Sequence, residues 1–364
     1  MPDTGAAPRS ATPRPAVLGM TGPGRSAALL ASRIAHRSEP AASRLDRTLR
    51  CPPPLRDDPA LAAQVNDGLV DWMDRSGILH DHLDELREMN FGRLLMLGYP
   101  DADDPDRLLA VAKMVVSIWT ADDHYNDSGP LGADPSLSGS RQGLAYAVVD
   151  PTALPARYAR SIQDGLDRDP VRAAIRSAWQ HLCRYADPVQ QNRIRHQIAA
   201  TAIACAQEAS WRMTGASPRI WEYLVSRTNN SFRLCLSLIE PACGYTVPSA
   251  DYSDPRLRRI TAVAGLMSGL VNDLYSMARE RAEPGASFDL PALIAAEEKG
   301  TGSEAVDRCI EIHNELADTL DAESVALAAH AALTGSAPLQ RYLVGIQGWM
   351  GGNRAWHATS SRYQ

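Results

Sequence analysis

The sequence predicts an all-α single domain of about ten or more helices, and three observations carry that prediction. Apolar residues recur at helical spacing almost without relief from Asp58 onward, alternating strand-like segments are almost absent, and hydrophobic residues make up 45% of the 364. A buried parallel sheet would need more Val and Ile runs than the chain contains. No apolar run reaches the roughly 18 residues needed to cross a bilayer; Ile260 to Val271 is interrupted by Gly265, Ser268 and Gly269.

Taken in order, residues 1–50 are rich in Pro, Ala, Arg, Ser and Gly without sustained periodicity, which predicts a disordered extension outside the fold. They carry no continuous apolar core with a cleavage site, so no secretory signal is expected. Cys51-Pro52-Pro53-Pro54 forms a stiff boundary, and residues 51–364 make the folded domain. Asp58-Pro59 caps a helix whose buried face is Leu61, Val65, Leu69 and Trp72. A second helix runs from near Asp81 to near Gly98. Asp104-Pro105 opens a third through Leu108, Val111, Val115 and Trp119 to about Asp127, before Gly129-Pro130. Further helices are expected near 155–167, 170–186, 188–213, 218–240, 254–281, 303–320, 322–334 and 337–357.

Composition excludes several function classes. The net charge of -6 divides into +5 over residues 1–50 and -11 over the remainder, and an acidic body is a poor partner for nucleic acid. The chain has only two lysines, Lys113 and Lys299, which reads first as the coding bias of a GC-rich genome. Its six cysteines lack a C-x-x-C pair, which argues against a zinc site and a disulfide framework and for the reducing cytoplasm.

Two polar clusters sit late in apolar helices. In Asp122-Asp123-His124-Tyr125-Asn126-Asp127, Asp123 and Asp127 project about 40° apart, so both carboxylates can face one cavity. A helix-end cap or solvated terminus is the alternative. In the second cluster Asn272, Ser276 and Glu280 lie at i, i+4 and i+8, a stripe about 12 Å long. Amide, hydroxyl and carboxylate oxygens are hard donors suited to magnesium. The alternative, a solvated outer stripe, is disfavoured by Leu266, Leu270 and Val271 just upstream. Facing each other across a cavity, two such clusters would hold magnesium ions that neutralise a departing diphosphate.

These paired motifs resemble those of bacterial class I terpene cyclases, with N-D-x-x-S-x-x-x-E matched in full by Asn272, Asp273, Ser276 and Glu280. Arg227, 45 residues upstream, stands where that family has a diphosphate-sensing arginine, and Arg362-Tyr363 resembles its C-terminal Arg-Tyr pair. The segments Cys51–Ala60, Asn90–Leu94, Asp122–Tyr125 and Tyr146–Pro151 are similar to those of 2-methylisoborneol synthases. The departure is at Asn126, where a small residue or Cys is expected; it leaves open which acidic residue completes the first site.

The resemblance implies the class I terpene synthase bundle around a central active-site cavity, three magnesium ions, an isoprenoid diphosphate substrate and a homodimer. Asp122, Asp123 and Asp127 would ligate two ions, and Asn272, Ser276 and Glu280 the third. Arg227, Arg362 and Tyr363 would bind the diphosphate; Arg279 is either a further phosphate contact or a surface partner. Trp119, Phe91, Phe232 and Trp349 are candidates for the cation-stabilising wall, each with ordinary core packing as its alternative. The expected reaction is cyclisation of 2-methylgeranyl diphosphate to 2-methylisoborneol or the related alkene 2-methylenebornane. A sesquiterpene cyclase acting on farnesyl diphosphate, a chain-elongating prenyltransferase and a catalytically silent binder of hydrophobic ligands are the competing readings.

Overall fold

The computed structural model describes residues 45, 48–78, 82–126, 134–230, 232–280 and 288–361, apart from the side chains of 126 and 278–280. Helices dominate, and no strand occurs among the described residues. Helix α1 is Pro59–Ser76, α2 Leu83–Met89, α3 Phe91–Gly98, α4 Pro105–Asn126, α5 Ser138–Val149, α6 Ala156–Asp167, α7 Pro170–Leu182 and α8 Pro188–Thr214. Then follow α9 Ile220–Asn229, α10 Phe232–Ser237, α11 Ile239–Cys243, α12 Ser249–Tyr252, α13 Pro255–Glu280, α14 Leu290–Glu298, α15 Gly302–Thr334 and α16 Ala337–Thr359.

Aspartate before proline starts several of these helices, because the carboxylate accepts from amides of the first turn while proline needs no acceptor there. Asp58 accepts from the Leu61 amide at 3.1 Å, and Asp187 accepts from both Val189 and Gln190 at 2.8 and 2.9 Å. The expected face of α1 is buried as read: Leu61, Val65, Leu69 and Trp72. Gly77 closes α1 in the left-handed conformation, φ 69°.

Four expectations are corrected. The segment 81–98 breaks at Asn90, whose φ of 52° ends α2 while its side chain caps α3 by accepting from Arg93 N at 3.0 Å. The stretch 218–240 is three short helices, because Asn230 turns extended (φ -77°, ψ 134°). The split expected after residue 320 is absent: neither Gly nor Pro interrupts Gly302–Thr334. Finally, the boundary at residue 50 falls too late. Leu45 and Leu49, one turn apart, are buried with Leu270, Leu274 and Leu290; Arg50 pairs with Asp318 and Asp321, and Asn314 bonds the backbone of Thr48 and Arg50.

Two helices organise the bundle. Helix α4 packs against α1, α3, α5, α7, α8 and α11, and α13 against α9, α10, α12, α14, α15 and α16. They carry the two polar clusters, so each cluster lies where a helix is surrounded by others and its polar groups are withdrawn from water. Helix α16 crosses α3 at very short range, since a Cβ at Gly352 would lie 2.5 Å from the Leu97 carbonyl carbon. No helix among the described residues is long and apolar enough to cross a membrane.

Candidate active site

Asp122 and Asp123 occupy the last turns of α4, 5% and 1% exposed. Burial removes the solvated-terminus reading, and the C-terminal end of a helix dipole disfavours carboxylates, so they do not serve as caps. The Cys205 thiol of α8 bonds with Asp122, and burial followed by that negative charge pushes the thiol well above its ordinary range. Asp127 lies outside the described residues.

On α13, Asn272 and Ser276 are each 1% exposed, which excludes a solvated stripe. Asn272 is held from both sides. His357 Nδ1 lies 2.8 Å from the Asn353 carbonyl oxygen, which can only accept, so Nδ1 carries the proton and Nε2 is an acceptor. Nε2 then accepts from Asn272 Nδ2 at 3.3 Å, and Asn272 Oδ1 is turned to Arg227 Nη2 at 2.8 Å. The Ser276 hydroxyl, one turn on, is buried without a hydrogen-bond partner among the described residues. Glu280 continues the stripe, but its side chain and that of Arg279 lie outside those described, as do Arg362 and Tyr363.

Arg227 lies across α13, its Nη2 also reaching Gly269 O at 3.1 Å and Asp273 Oδ1 at 2.7 Å. Gly269 permits this approach, for a Cβ there would stand 2.9 Å from Arg227 Nε. The other oxygen of Asp273 accepts from Tyr223 OH at 2.8 Å and from Leu290 N at 3.3 Å. Burial, then the Asp273 charge, drive the Tyr223 hydroxyl far above its usual pKa, so it remains a donor. Asp273 therefore anchors Arg227 rather than facing the stripe of Asn272 and Ser276.

Aromatic contacts join the two clusters. Trp119, one turn before Asp123, packs on Phe232 with centroids 5.7 Å apart; Phe232 lies 6.0 Å from His357, which holds Asn272. The contacts close on themselves, because His357 meets Trp356 at 5.0 Å, Trp356 meets Phe91 at 5.4 Å and Phe91 meets Trp119 at 5.7 Å. Trp349 joins the circuit through Phe232 at 6.5 Å, while its Nε1 donates to Ser268 Oγ at 3.0 Å. All four aromatic residues expected at the wall are thus brought together, each at most 1% exposed.

His357, Asn353, Tyr223 and Trp356 are not among the site residues that the sequence pointed to. Histidine and asparagine one turn apart on an apolar helix look like core; only the spacing of Asn353 from Trp349, Trp356 and His357 could have flagged a shared face.

Among the described residues no three His, Cys, Asp or Glu side chains converge. The donors are oxygens of mixed type, Asp122 and Asp123 with the Asn272 amide and the Ser276 hydroxyl, and the unspent buried hydroxyl has the chemistry of a hard-cation ligand. No zinc-type nitrogen and sulfur set is present among them.

Comparison with known proteins gives the family and the fold. Residues 113–319 match the model of terpene synthase family 2, C-terminal metal binding. The 2-methylisoborneol synthase of Saccharopolyspora erythraea is 35% identical over 319 residues, 87% of this chain and 89% of the relative. That of Streptomyces ambofaciens is 33% identical, covering 94% of this chain and 79% of the relative. The structure of the Streptomyces coelicolor A3(2) 2-methylisoborneol synthase in complex with Mg2+ and geranyl-S-thiolodiphosphate superposes with a TM-score of 0.79 at 30% identity, over 90% of this chain and 98% of that one. A cucumene synthase variant shares the fold alone, at 22% identity and a TM-score of 0.71. The all-α bundle with its metal-binding region is a class I fold, and the chain belongs to terpene synthase family 2.

Proposed function

We propose that this enzyme is a magnesium-dependent cyclase that ionises 2-methylgeranyl diphosphate and closes the resulting carbocation to a methylated bornane, 2-methylisoborneol or its alkene counterpart. The observation that carries the reading is the closed circuit of buried rings that runs from Trp119, one turn before the aspartates, to His357, which holds Asn272. The choice of substrate is supported by the 2-methylisoborneol synthases at 31–35% identity, against 25–26% for the sesquiterpene synthases.

Asp122 and Asp123, with Asp127, are assigned to one side of the metal site, and Asn272, Ser276 and Glu280 to the other. Magnesium bound there supplies charge neutralisation and Lewis acidity to the leaving diphosphate. Arg227 is assigned to a phosphate oxygen with a planar guanidinium that lysine cannot reproduce, and Arg362, Tyr363 and Arg279 to the same anion. Phe91, Trp119, Phe232 and Trp349 offer ring faces to the cation, and their burial excludes the water that would quench it early.

The test is incubation with magnesium and, separately, geranyl, 2-methylgeranyl and farnesyl diphosphate, with volatile products identified by gas chromatography and mass spectrometry. A methylated bornane from the 2-methylgeranyl substrate is expected. Products from farnesyl diphosphate alone would overturn the substrate assignment, and no turnover of any would overturn the cyclase.

A further inference from the structure

Beside the aromatic circuit one polar side chain, that of Asn353, is buried. Asn353 is 0% exposed, and neither its Oδ1 nor its Nδ2 has a hydrogen-bond partner among the described residues. Two unspent polar atoms on one buried amide cost far more than a helix ordinarily tolerates, and such a group calls for a ligand or an ordered water. Its direction follows from helix geometry. At about 100° per residue along α16, Asn353 lies about 40° from Trp349, about 60° from Trp356 and about 40° from His357. Those three residues all belong to the circuit that includes Phe232, Phe91 and Trp119. Asn353 is therefore flanked on its own helix by rings of the circuit, and its backbone carbonyl fixes His357.

We infer that Asn353 holds one water molecule beside the ring circuit, and that this water is the nucleophile ending the reaction. The inference rests on the cyclase reading above. Asn353 Oδ1 accepts a hydrogen bond from the water, and Nδ2 donates one to it, which leaves the remaining lone pair for the cation. In the closing step that lone pair forms the carbon–oxygen bond, and the proton lost from the resulting oxonium passes to the diphosphate released earlier in the same turnover. Without the anchored water, the cation instead loses a proton from carbon and leaves as an alkene. One amide thus decides between alcohol and hydrocarbon, beside a circuit otherwise built of rings. A charge-assisted hydrogen bond is strong enough for its loss to shift the partition by about tenfold or more.

The experiment compares the full-length wild type with Asn353→Leu, which keeps a branched shape but neither polar atom, on 2-methylgeranyl diphosphate in 18O-labelled water. Expected are labelled alcohol from the wild type and an alcohol-to-alkene ratio lower by about tenfold or more in the variant. An unchanged ratio, or a wild type that makes only alkene, overturns the proposal. A second arm needs no turnover: a high-resolution crystal structure of the wild type should show a water within hydrogen-bond distance of both amide atoms. Finding both atoms bonded to protein groups would overturn it too. If 2-methylgeranyl diphosphate is not consumed, the substrate reading fails while this arm still decides the role of Asn353.

Discussion

Removing the guanidinium of Arg227 separates its structural work from its chemistry. Arg227 and Asp273 form an ion pair at 2.7 Å with side chains 6% and 3% exposed. Arg227→Met leaves the Asp273 carboxylate buried without its partner cation, though still bonded to the Tyr223 hydroxyl and the Leu290 amide. Breaking a buried pair from one side costs about 3–5 kcal/mol, a large part of the roughly 5–15 kcal/mol that holds a domain together. Asp273→Asn added to Arg227→Met removes the stranded charge and should return half or more of that loss. Urea unfolding followed by far-ultraviolet circular dichroism would measure both variants. The double variant should be folded yet fail to release diphosphate, because the arginine is still missing. If Arg227→Met is within about 1 kcal/mol of wild type, or the double variant is no more stable than the single, the pair is not the buried anchor described here.

Three further outcomes are expected. Ser276→Ala deletes a buried hydroxyl that bonds nothing among the described residues, so unfolding should change by less than about 0.5 kcal/mol while the magnesium concentration for half-maximal activity rises about tenfold or more. Burial holds the His313 imidazole down at about 4 from its ordinary 6.5. Between those values the unfolded chain binds a proton that the folded chain refuses. Stability should therefore fall as pH drops from 6.5 towards 4, by up to about 3 kcal/mol, and His313→Leu should flatten that slope in denaturation curves. Gly352→Ala places a methyl against the backbone of Leu97 and Gly98; a loss of about 1–3 kcal/mol or more in thermal unfolding is expected, and an unchanged melting point would contradict the close crossing of α3 and α16.

Which parts of this molecule can be read from its sequence follows from where the information is local. The Asp-Pro starts at 58–59 and 104–105 announce helices because cap and first turn are adjacent in the chain. Helix α5 escapes such a reading: Ser138, Gly139, Ser140 and Gly143 are poor helix formers, and the segment is helical because it packs on α7 and α8. Helix α14 is nine residues long, too short for periodicity to identify, and depends on Asp289 capping Ala292 N at 2.7 Å. The oxygen donors of α13 are legible for a similar reason, since one helix sets their spacing. Arg227 and Asn272 are 45 residues apart, and their 2.8 Å bond is a product of packing that only the family likeness anticipated. Asn353 and His357 carried no such likeness. Their environment is made by rings from α3, α4 and α10, which no window of sequence around them contains.

The central claim is that the two clusters form one metal site assembled around a diphosphate. Its most direct measurement is titration of the wild-type protein with Mn2+ in place of magnesium, with and without inorganic diphosphate, counting bound ions by electron paramagnetic resonance. The account predicts tight uptake of three ions per chain only when diphosphate is present, with mutual broadening that reports closely spaced ions. Weak binding indifferent to diphosphate would contradict it.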